Sequence, residues 1–240
     1  MNKDTQLIEA ISALEVSTID DLVTYLPRGK KALERSLLKL SREGVIQKKR
    51  WHNSEPHIYS IKKLDRSSRF RMPHELLITA IHTALHRTGL LLDWQQGKRY
   101  WRGPVHHDAF CALKRGEKTM DIFIEADNST MNHKDIDEKV KIYLEYFEQS
   151  SIPFKVLFVT TSRERARNLS RLVEATISVK KRKVYLFTTI EQFKESPLGE
   201  ICYVPYENKE EYERIRNERI ENGEEVDVTE ELKDKLFSLL

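Results

Sequence analysis

Residues 118–127 read KTMDIFIEAD, and this stretch decides the fold of the second half of the chain. Met120, Ile122 and Ile124 are apolar and alternate with other residues, which is the period of two that predicts a β-strand. The strand ends in two carboxylates one residue apart, Glu125 and Asp127. The sequence therefore predicts a strand that carries a pair of acidic side chains at its carboxyl end.

Helices and strands alternate on both sides of this strand. A helix that follows it carries Lys139 and Tyr143 four residues apart, on one face. Ser162 is a helix N-cap candidate after the next apolar run. The predicted elements are helices at 74–87, 132–149 and 163–177 and strands at 90–94, 108–113, 120–126, 154–160 and 184–187. This alternation predicts an α/β domain, a mixed sheet flanked by helices, in a chain that is α+β overall.

The first 65 residues predict a different, smaller unit. Apolar spacing indicates a helix at 5–14, Ser17 or Thr18 can cap a second short helix, and a third runs over about 30–43. In the third helix we expect four leucines to face inward: Leu33, Leu37, Leu38 and Leu40. Segments 45–51 and 57–63 alternate like the two strands of a hairpin. Three helices followed by a hairpin is the order of a winged helix-turn-helix.

The third helix and the hairpin both carry several basic side chains. We expect the helix to enter a DNA major groove and the hairpin to contact phosphates. The alternatives are a solvated basic face or a surface for protein contacts. The predicted DNA-binding residues are Lys30, Lys31, Arg35, Lys39 and Arg42 on the helix and Lys48, Lys49 and Arg50 on the hairpin.

Charge is distributed unevenly along the chain, although the formal net charge is only +3. Residues 1–72 contain 15 Lys/Arg and 9 Asp/Glu, whereas residues 207–240 contain 6 and 12. A basic front favours contact with nucleic acid at that end. The two cysteines, Cys111 and Cys202, lie in apolar runs and predict reduced, buried thiols. With no apolar run long enough for a membrane span and no signal-peptide core, we expect a cytoplasmic protein without membrane contact.

These patterns predict four segments. They are a winged-helix DNA-binding domain at 1–65, a polar linker at 66–72, a nuclease-like domain at 73–206 and an acidic helical tail at 207–240. The tail is expected either to dock on a partner, such as a second copy of the chain in a homodimer, or to pack on the body.

Several motifs in a fixed order carry a resemblance to a known family. They are His74-Glu75-Leu76-Leu77, Trp94, Asp108, Glu125 to Thr130, Lys139 with Tyr143, Val156 to Thr160, and Arg163, Arg165 and Asn168. Over about residues 5–195 the sequence resembles the replication-relaxation family of plasmid and mobile-element proteins. The resemblance implies an N-terminal winged helix, a second domain of the PD-(D/E)xK nuclease type, and a role in replication, relaxation or transfer of extrachromosomal DNA. Replication or relaxation proteins are then expected partners.

The same resemblance points to a candidate metal site. In restriction-endonuclease-like enzymes two carboxylates hold Mg²⁺ or Mn²⁺ and a lysine orients the attacking water. Asp108 and Glu125 occupy the carboxylate places, and Asp127 occupies the place of the lysine. Lys139 is the candidate to replace that lysine from the helix, and Glu75 is a candidate further ligand. The alternative is that Asp127 and Asn128 cap the following turn and that Lys139 pairs with a carboxylate structurally.

Three functions stay open on the sequence alone. The leading hypothesis is a double-stranded-DNA-binding protein that acts in replication initiation, relaxation or maintenance of a plasmid or integrated element, with no certain cofactor. The second is a Mg²⁺- or Mn²⁺-dependent endonuclease that uses Asp108, Glu125, Asp127 and Lys139. The third is a winged-helix transcriptional regulator. His82 and His86, four apart on one helix, are a weaker metal candidate and are expected at the surface or in a cleft.

Overall fold

The computed structural model describes residues 2–65, 67–96, 106–128, 132–150, 152–177 and 184–197. It divides into two compact units, one ending at Gly89 and the other beginning at Leu90. Each unit has its own apolar core. The acidic tail and Cys202 lie outside the described residues.

The first unit begins with three short helices: α1 (Lys3–Leu14), α2 (Ile19–Tyr25) and α3 (Lys30–Arg42). Thr18 and Asp21 form a capping box at the start of α2, in which each side chain receives the other residue's backbone N–H. The three helices enclose one apolar core, formed by Leu7, Ala10, Ile11, Leu14, Leu22, Leu33, Leu37, Leu40, Ile46 and Tyr59.

A two-stranded hairpin follows the helices. It consists of β1 (Gln47–Lys49) and β2 (Ile58–Ser60), which pair antiparallel with Lys48 opposite Tyr59. Ser17 also pairs with Tyr59 through an isolated bridge, so the segment before α2 lies along the hairpin. The predicted order of three helices and a hairpin is confirmed, with strands shorter than the sequence pattern indicated.

The fourth helix of the first unit corrects two predictions. Helix α4 (Ser68–Arg87) takes in residues 68–72, which were predicted to be part of a linker. The Asp65 carboxylate accepts hydrogen bonds from the Ser68 N–H and from the hydroxyls of Ser67 and Ser68, and these bonds start the helix inside a polar run. The helix that was predicted to open the second domain therefore belongs to the first unit.

Helix α4 is joined to the rest of the first unit by buried contacts. The Thr79 hydroxyl donates to the backbone oxygens of Leu14 and Val16, at 3.1 and 2.7 Å. Met72 packs in a small apolar cluster with Val16, Ile58 and Leu64. These contacts attach α4 to the first unit, so the boundary between the two units lies after this helix rather than before it.

The second unit is a five-stranded mixed sheet. Its strands are β3 (Leu91–Gln96), β4 (Ala109–Arg115), β5 (Lys118–Asp127), β6 (Phe154–Thr160) and β7 (Tyr185–Thr189), and they are ordered β3-β4-β5-β6-β7. β3, β4 and β5 pair antiparallel, whereas β5, β6 and β7 pair parallel. Parallel neighbours need crossover connections, and here these are α5 (His133–Gln149) and α6 (Arg163–Thr176). A short helix, α7 (Ile190–Glu195), follows β7. The predicted mixed sheet flanked by helices is confirmed.

One face of this sheet is covered by α5 and α6. Phe123, Val156, Phe158, Tyr185 and Phe187 pack there against apolar side chains of the two helices. Because side chains alternate between faces along a strand, Glu125 and Asp127 share the face of Phe123. The fold therefore places both carboxylates under helices at the carboxyl end of β5.

Among the described residues, no helix combines the length and the apolar composition that a membrane span requires.

Candidate functional site

Glu125 is the buried centre of the candidate site. Its side chain is fully excluded from solvent on β5, and α5 supplies both of its partners. The Tyr143 hydroxyl donates to Oε1 at 2.6 Å, and the Lys139 ammonium pairs with Oε2. The two partners are four residues apart, so they lie one above the other on a single helix face. The spacing noted in the sequence thus serves to hold one carboxylate at both oxygens.

Burial dominates the electrostatics of this group. Burial, together with the smaller effect of the Asp108 charge, raises the pKa of Glu125 to about 7, against the opposing effect of Lys139. The pKa of the Tyr143 phenol is raised well above its ordinary value by burial and by the two carboxylates. Glu125 can therefore exchange a proton near neutral pH.

Asp108 adjoins this pair from the start of β4. Its Oδ2 accepts the backbone N–H of Ala126 at 2.8 Å, and its own N–H donates to the carbonyl oxygen of Ile124 at 3.1 Å. These bonds fix Asp108 beside the end of β5. The structure therefore brings together three of the predicted site residues, Asp108, Glu125 and Lys139.

Asp127 is held by a residue that the sequence-based site did not include. It is fully buried, and Arg165 of α6 donates from Nε to its Oδ2 at 2.5 Å. Its Oδ1 is also buried and has no hydrogen-bond partner within the described part of the chain. A guanidinium from the next crossover helix therefore balances the carboxylate at the position where the resemblance implied a lysine.

The turn that Asp127 and Asn128 were alternatively expected to cap continues into residues outside the described part of the chain, so that interpretation stays a prediction. Helix α5, which follows, is capped by Asn132, whose side chain accepts the N–H of Asp135 at 3.0 Å. The alternative interpretation of Lys139 was a structural pair with a carboxylate, and the contact between Lys139 and Glu125 matches it. Glu75 lies on α4, in the first unit, and its proposed role as a ligand stays a prediction.

The arrangement of donors does not fit a divalent-metal centre. Within the described ranges, no group of three or more His, Cys, Asp or Glu side chains is arranged to hold a metal ion. Both oxygens of Glu125 are engaged by Lys139 and Tyr143, and Asp127 is bound to Arg165. Glu125 and Asp127 therefore already have partners on the crossover helices and do not form an open set of metal ligands.

A second candidate site is the solvent face of α3 in the first unit. Leu33, Leu37 and Leu40 are buried, so the opposite side of the helix is exposed. That side presents Lys31, Arg35 and Arg42, whose ammonium and guanidinium groups make no ion pair in the described residues. Leu38, predicted to face inward, is 42% exposed on this face, because it lies off the stripe formed by positions 33, 37 and 40.

Two of the predicted DNA-binding lysines have partners within the first unit. Lys30 pairs with Asp20 of α2, and Lys39 pairs with Asp4 of α1, both at 2.8 Å. Both ammonium groups are more than half exposed, so these pairs contribute little to stability and can be exchanged for a phosphate. On the hairpin Lys48 and Arg50 are exposed, Lys49 is half-buried, and the Arg50 Nε donates to the backbone oxygen of His52 at 3.1 Å.

The two histidines of α4 differ in burial. His82 is buried and His86 exposed, and Tyr25 lies against both, stacked on His86 with ring centroids 4.0 Å apart. Burial lowers the pKa of His82 to about 3. The expectation that both lie at the surface or in a cleft is therefore wrong for His82, which is a packed, neutral histidine.

Comparison with known proteins gives a family. The sequence profile described as replication-relaxation matches residues 7–156 of the 240-residue chain. The chain belongs to the replication-relaxation family. Among curated proteins no relative matches it. A solved structure that it resembles is the small subunit of a heterodimeric restriction endonuclease, at 14% identity and a TM-score of 0.31, covering 70% of this chain and 90% of that one. Family membership supports a DNA-associated role.

Proposed function

We propose that this protein binds double-stranded DNA through its first unit and acts in replication initiation, relaxation or maintenance of a plasmid or integrated mobile element. The observation that carries the proposal is the solvent face of α3, with Lys31, Arg35 and Arg42 around the exposed Leu38. Family membership supports the biological setting, in which replication or relaxation proteins and a second copy of the chain are the expected partners.

The chemistry of this face suits a major groove. Lysine and arginine neutralise phosphates, and the release of their counterions supplies affinity. Arginine can also bind the edge of guanine through two hydrogen bonds, and an apolar side chain can contact the methyl group of thymine. The exposed Leu38 can therefore contact a base while the three surrounding cationic side chains contact phosphates. The basic hairpin, with Lys48 and Arg50 exposed, fits the wing of a winged helix.

The test compares two variants that remove equal charge from the first unit. One is Lys31→Gln/Arg35→Gln/Arg42→Gln, on α3. The control is Lys3→Gln/Lys63→Gln/Arg87→Gln, three exposed residues outside α3 and the hairpin strands. Lys30 and Lys39 are left intact, because each already pairs with a carboxylate of the first unit, Asp20 or Asp4. Binding of the full chain to duplex DNA is measured over a range of salt concentrations.

We expect the α3 variant to reduce the slope of log affinity against log salt by about 2 to 3, since each phosphate contact contributes roughly 0.9. The control is expected to keep most of the wild-type slope. Equal slopes for wild type and α3 variant would overturn the proposal. Selective binding to one palindromic duplex, together with dimerisation of the protein, would favour the transcriptional-regulator alternative.

A metal-dependent endonuclease is the second candidate function. The observation that favours it is the contact between Lys139 and Glu125 beside Asp108, which joins a lysine to the two carboxylates of the predicted site. The observation against it is the engagement of Glu125 and Asp127 by Lys139, Tyr143 and Arg165. We therefore infer that the second unit is a nuclease-derived domain without cleavage activity.

Cleavage is tested with supercoiled plasmid and Mg²⁺ or Mn²⁺. The wild-type protein is compared with Asp108→Ala/Glu125→Ala. We expect no metal-dependent nicking by either protein. Nicking by wild type that disappears in the double variant would make this an endonuclease and would identify Mg²⁺ or Mn²⁺ as its cofactor.

A further inference from the structure

Helix α6 carries a row of three arginines that the candidate sites leave unused. Arg163, Arg167 and Arg171 follow one another at intervals of four residues and are all exposed. Four residues advance about 6 Å along a helix, so the row is roughly 12 Å long on one side of α6. Arg165 lies between the first two in sequence, but its side chain turns into the second unit and binds Asp127.

The α6 arginine row, defined as Arg163, Arg167 and Arg171, has no partner within the described part of the chain. No side-chain hydrogen bond or ion pair involves any of the three. The acidic residues of the helix do not neutralise them: Glu174 receives the Ser170 hydroxyl, and Glu164 is exposed without pairing to an arginine. Three exposed positive charges thus remain available to a ligand in solution.

Helix stability does not account for this row. Like charges four residues apart repel one another on a helix surface, and two such pairs occur here. Cations near the amino terminus of a helix also oppose its dipole, and Arg163 and Arg167 are in the first two turns. Alanine or glutamate would suit these positions better if only the helix mattered. The positions therefore favour a role outside the fold.

We propose that the α6 arginine row is a second DNA-backbone contact, on the unit that does not carry α3. Guanidinium groups match the geometry of phosphate oxygens and can bind them through two parallel hydrogen bonds. Duplex DNA presents a phosphate about every 3.4 Å along each strand, so a row of this length faces several phosphates. The inference rests on the proposed function, because it takes DNA as the ligand of the chain.

The test removes the row and compares it with an equal loss of charge elsewhere on the same unit. The variant is Arg163→Gln/Arg167→Gln/Arg171→Gln in the full chain. The control is Lys114→Gln/Lys134→Gln/Lys194→Gln, three exposed lysines on different elements. A third variant replaces the three arginines with lysine, which keeps the charge. Affinity for a mixed-sequence duplex is measured against salt, with thermal unfolding to confirm the fold.

We expect the glutamine variant to reduce the salt slope by about 2 to 3, the scattered control to change it by less than half as much, and the lysine variant to retain it. Equal slopes for the glutamine variant and the scattered control would overturn the proposal. The α3 variant measured beside them separates the two claims. If only the α3 variant has a reduced salt slope, the arginine row does not contact DNA and the proposed function holds. If only the row variant is defective, the row is supported and α3 is not the DNA-binding element.

Discussion

Two buried carboxylates at the end of one strand are stabilised in different ways. Glu125 is contacted by a phenol and an ammonium group from one helix, in place of the water it loses on burial. Asp127 accepts a hydrogen bond from a guanidinium group on another helix. An ionised carboxylate without such partners would be strongly unfavourable in the interior. At the residue scale, the site is therefore a set of interdependent charges, and changing one should affect stability in ways that depend on pH or on its partner.

Glu125 should make stability fall as the pH rises toward neutrality. Its folded-state pKa of about 7 lies above the value near 4.3 of an unfolded chain. The folded state therefore binds the proton more tightly, and this contribution is complete below about pH 4 and lost as the pH approaches 7. Urea unfolding of wild type and Glu125→Gln from pH 5 to pH 8 measures it. We expect the wild type to lose about 2.5 kcal/mol of unfolding free energy relative to the variant across this range; parallel pH profiles would contradict the assignment.

Asp127 and Arg165 should show strong coupling. Arg165→Met leaves a buried carboxylate without its counterion, which typically costs about 3 to 5 kcal/mol. Adding Asp127→Asn removes that charge, so the double variant should recover at least half of the loss. The coupling free energy is measured from unfolding of the two single variants and the double variant. Additive effects would show that the pair does not act as a unit.

At the element scale, helix and strand positions follow local patterns and were largely predictable. Strand β6 lies at 154–160, as its apolar run indicated, and α5 and α6 begin and end within a residue or so of the predicted bounds. The beginning of α4 was not predicted, because the Asp65 hydrogen bonds at its start lie in a polar run that also fits a linker. The sequence also indicated that Lys139 of α5 would lie near the carboxylates, and it pairs with Glu125. The Arg165–Asp127 pair was not, because it joins residues 38 apart on separate elements and no local pattern encodes it.

The attachment of α4 to α1 can be tested with two threonines one turn apart. Thr79 donates to two backbone oxygens, whereas the buried hydroxyl of Thr83 has no hydrogen-bond partner among the described residues. Thr79→Val should lower the free energy of unfolding by about 1 to 3 kcal/mol, because it removes the hydroxyl donor from the buried Val16 oxygen and leaves the Leu14 oxygen with the Val16 N–H as donor. Thr83→Val, the matched control, should be neutral or stabilising. Equal losses from both substitutions would show that the hydroxyl bonds of Thr79 do not hold α4.

At the scale of the whole molecule, the chain consists of two units that divide after Gly89. A sequence-based boundary near residue 65 followed from the end of the hairpin and the polar run after it. The tertiary contacts of Met72 and Thr79 place α4 with the first unit instead, and such contacts are not visible in hydrophobic periodicity.

This division predicts which fragment folds. A fragment of residues 1–89 should unfold cooperatively on heating, because it retains α4 and its buried contacts. A fragment of residues 1–65 loses the Thr79 hydrogen bonds and the packing of Met72, and it should melt at a clearly lower temperature or without a cooperative transition. Circular dichroism at increasing temperature measures both. Equal melting temperatures would place the boundary after the hairpin, as the sequence pattern first indicated.

In the proposed function, DNA lies against the solvent face of α3. The most direct test of this placement is site-specific photocrosslinking of the full chain, with p-benzoylphenylalanine in place of Leu38, which is 42% exposed on that face, or of Phe70, which is 87% exposed on α4. We predict that irradiation with duplex DNA joins the strand to the protein from position 38 and not from position 70. Crosslinking from position 70 alone would contradict the account and place the DNA on another face of the first unit.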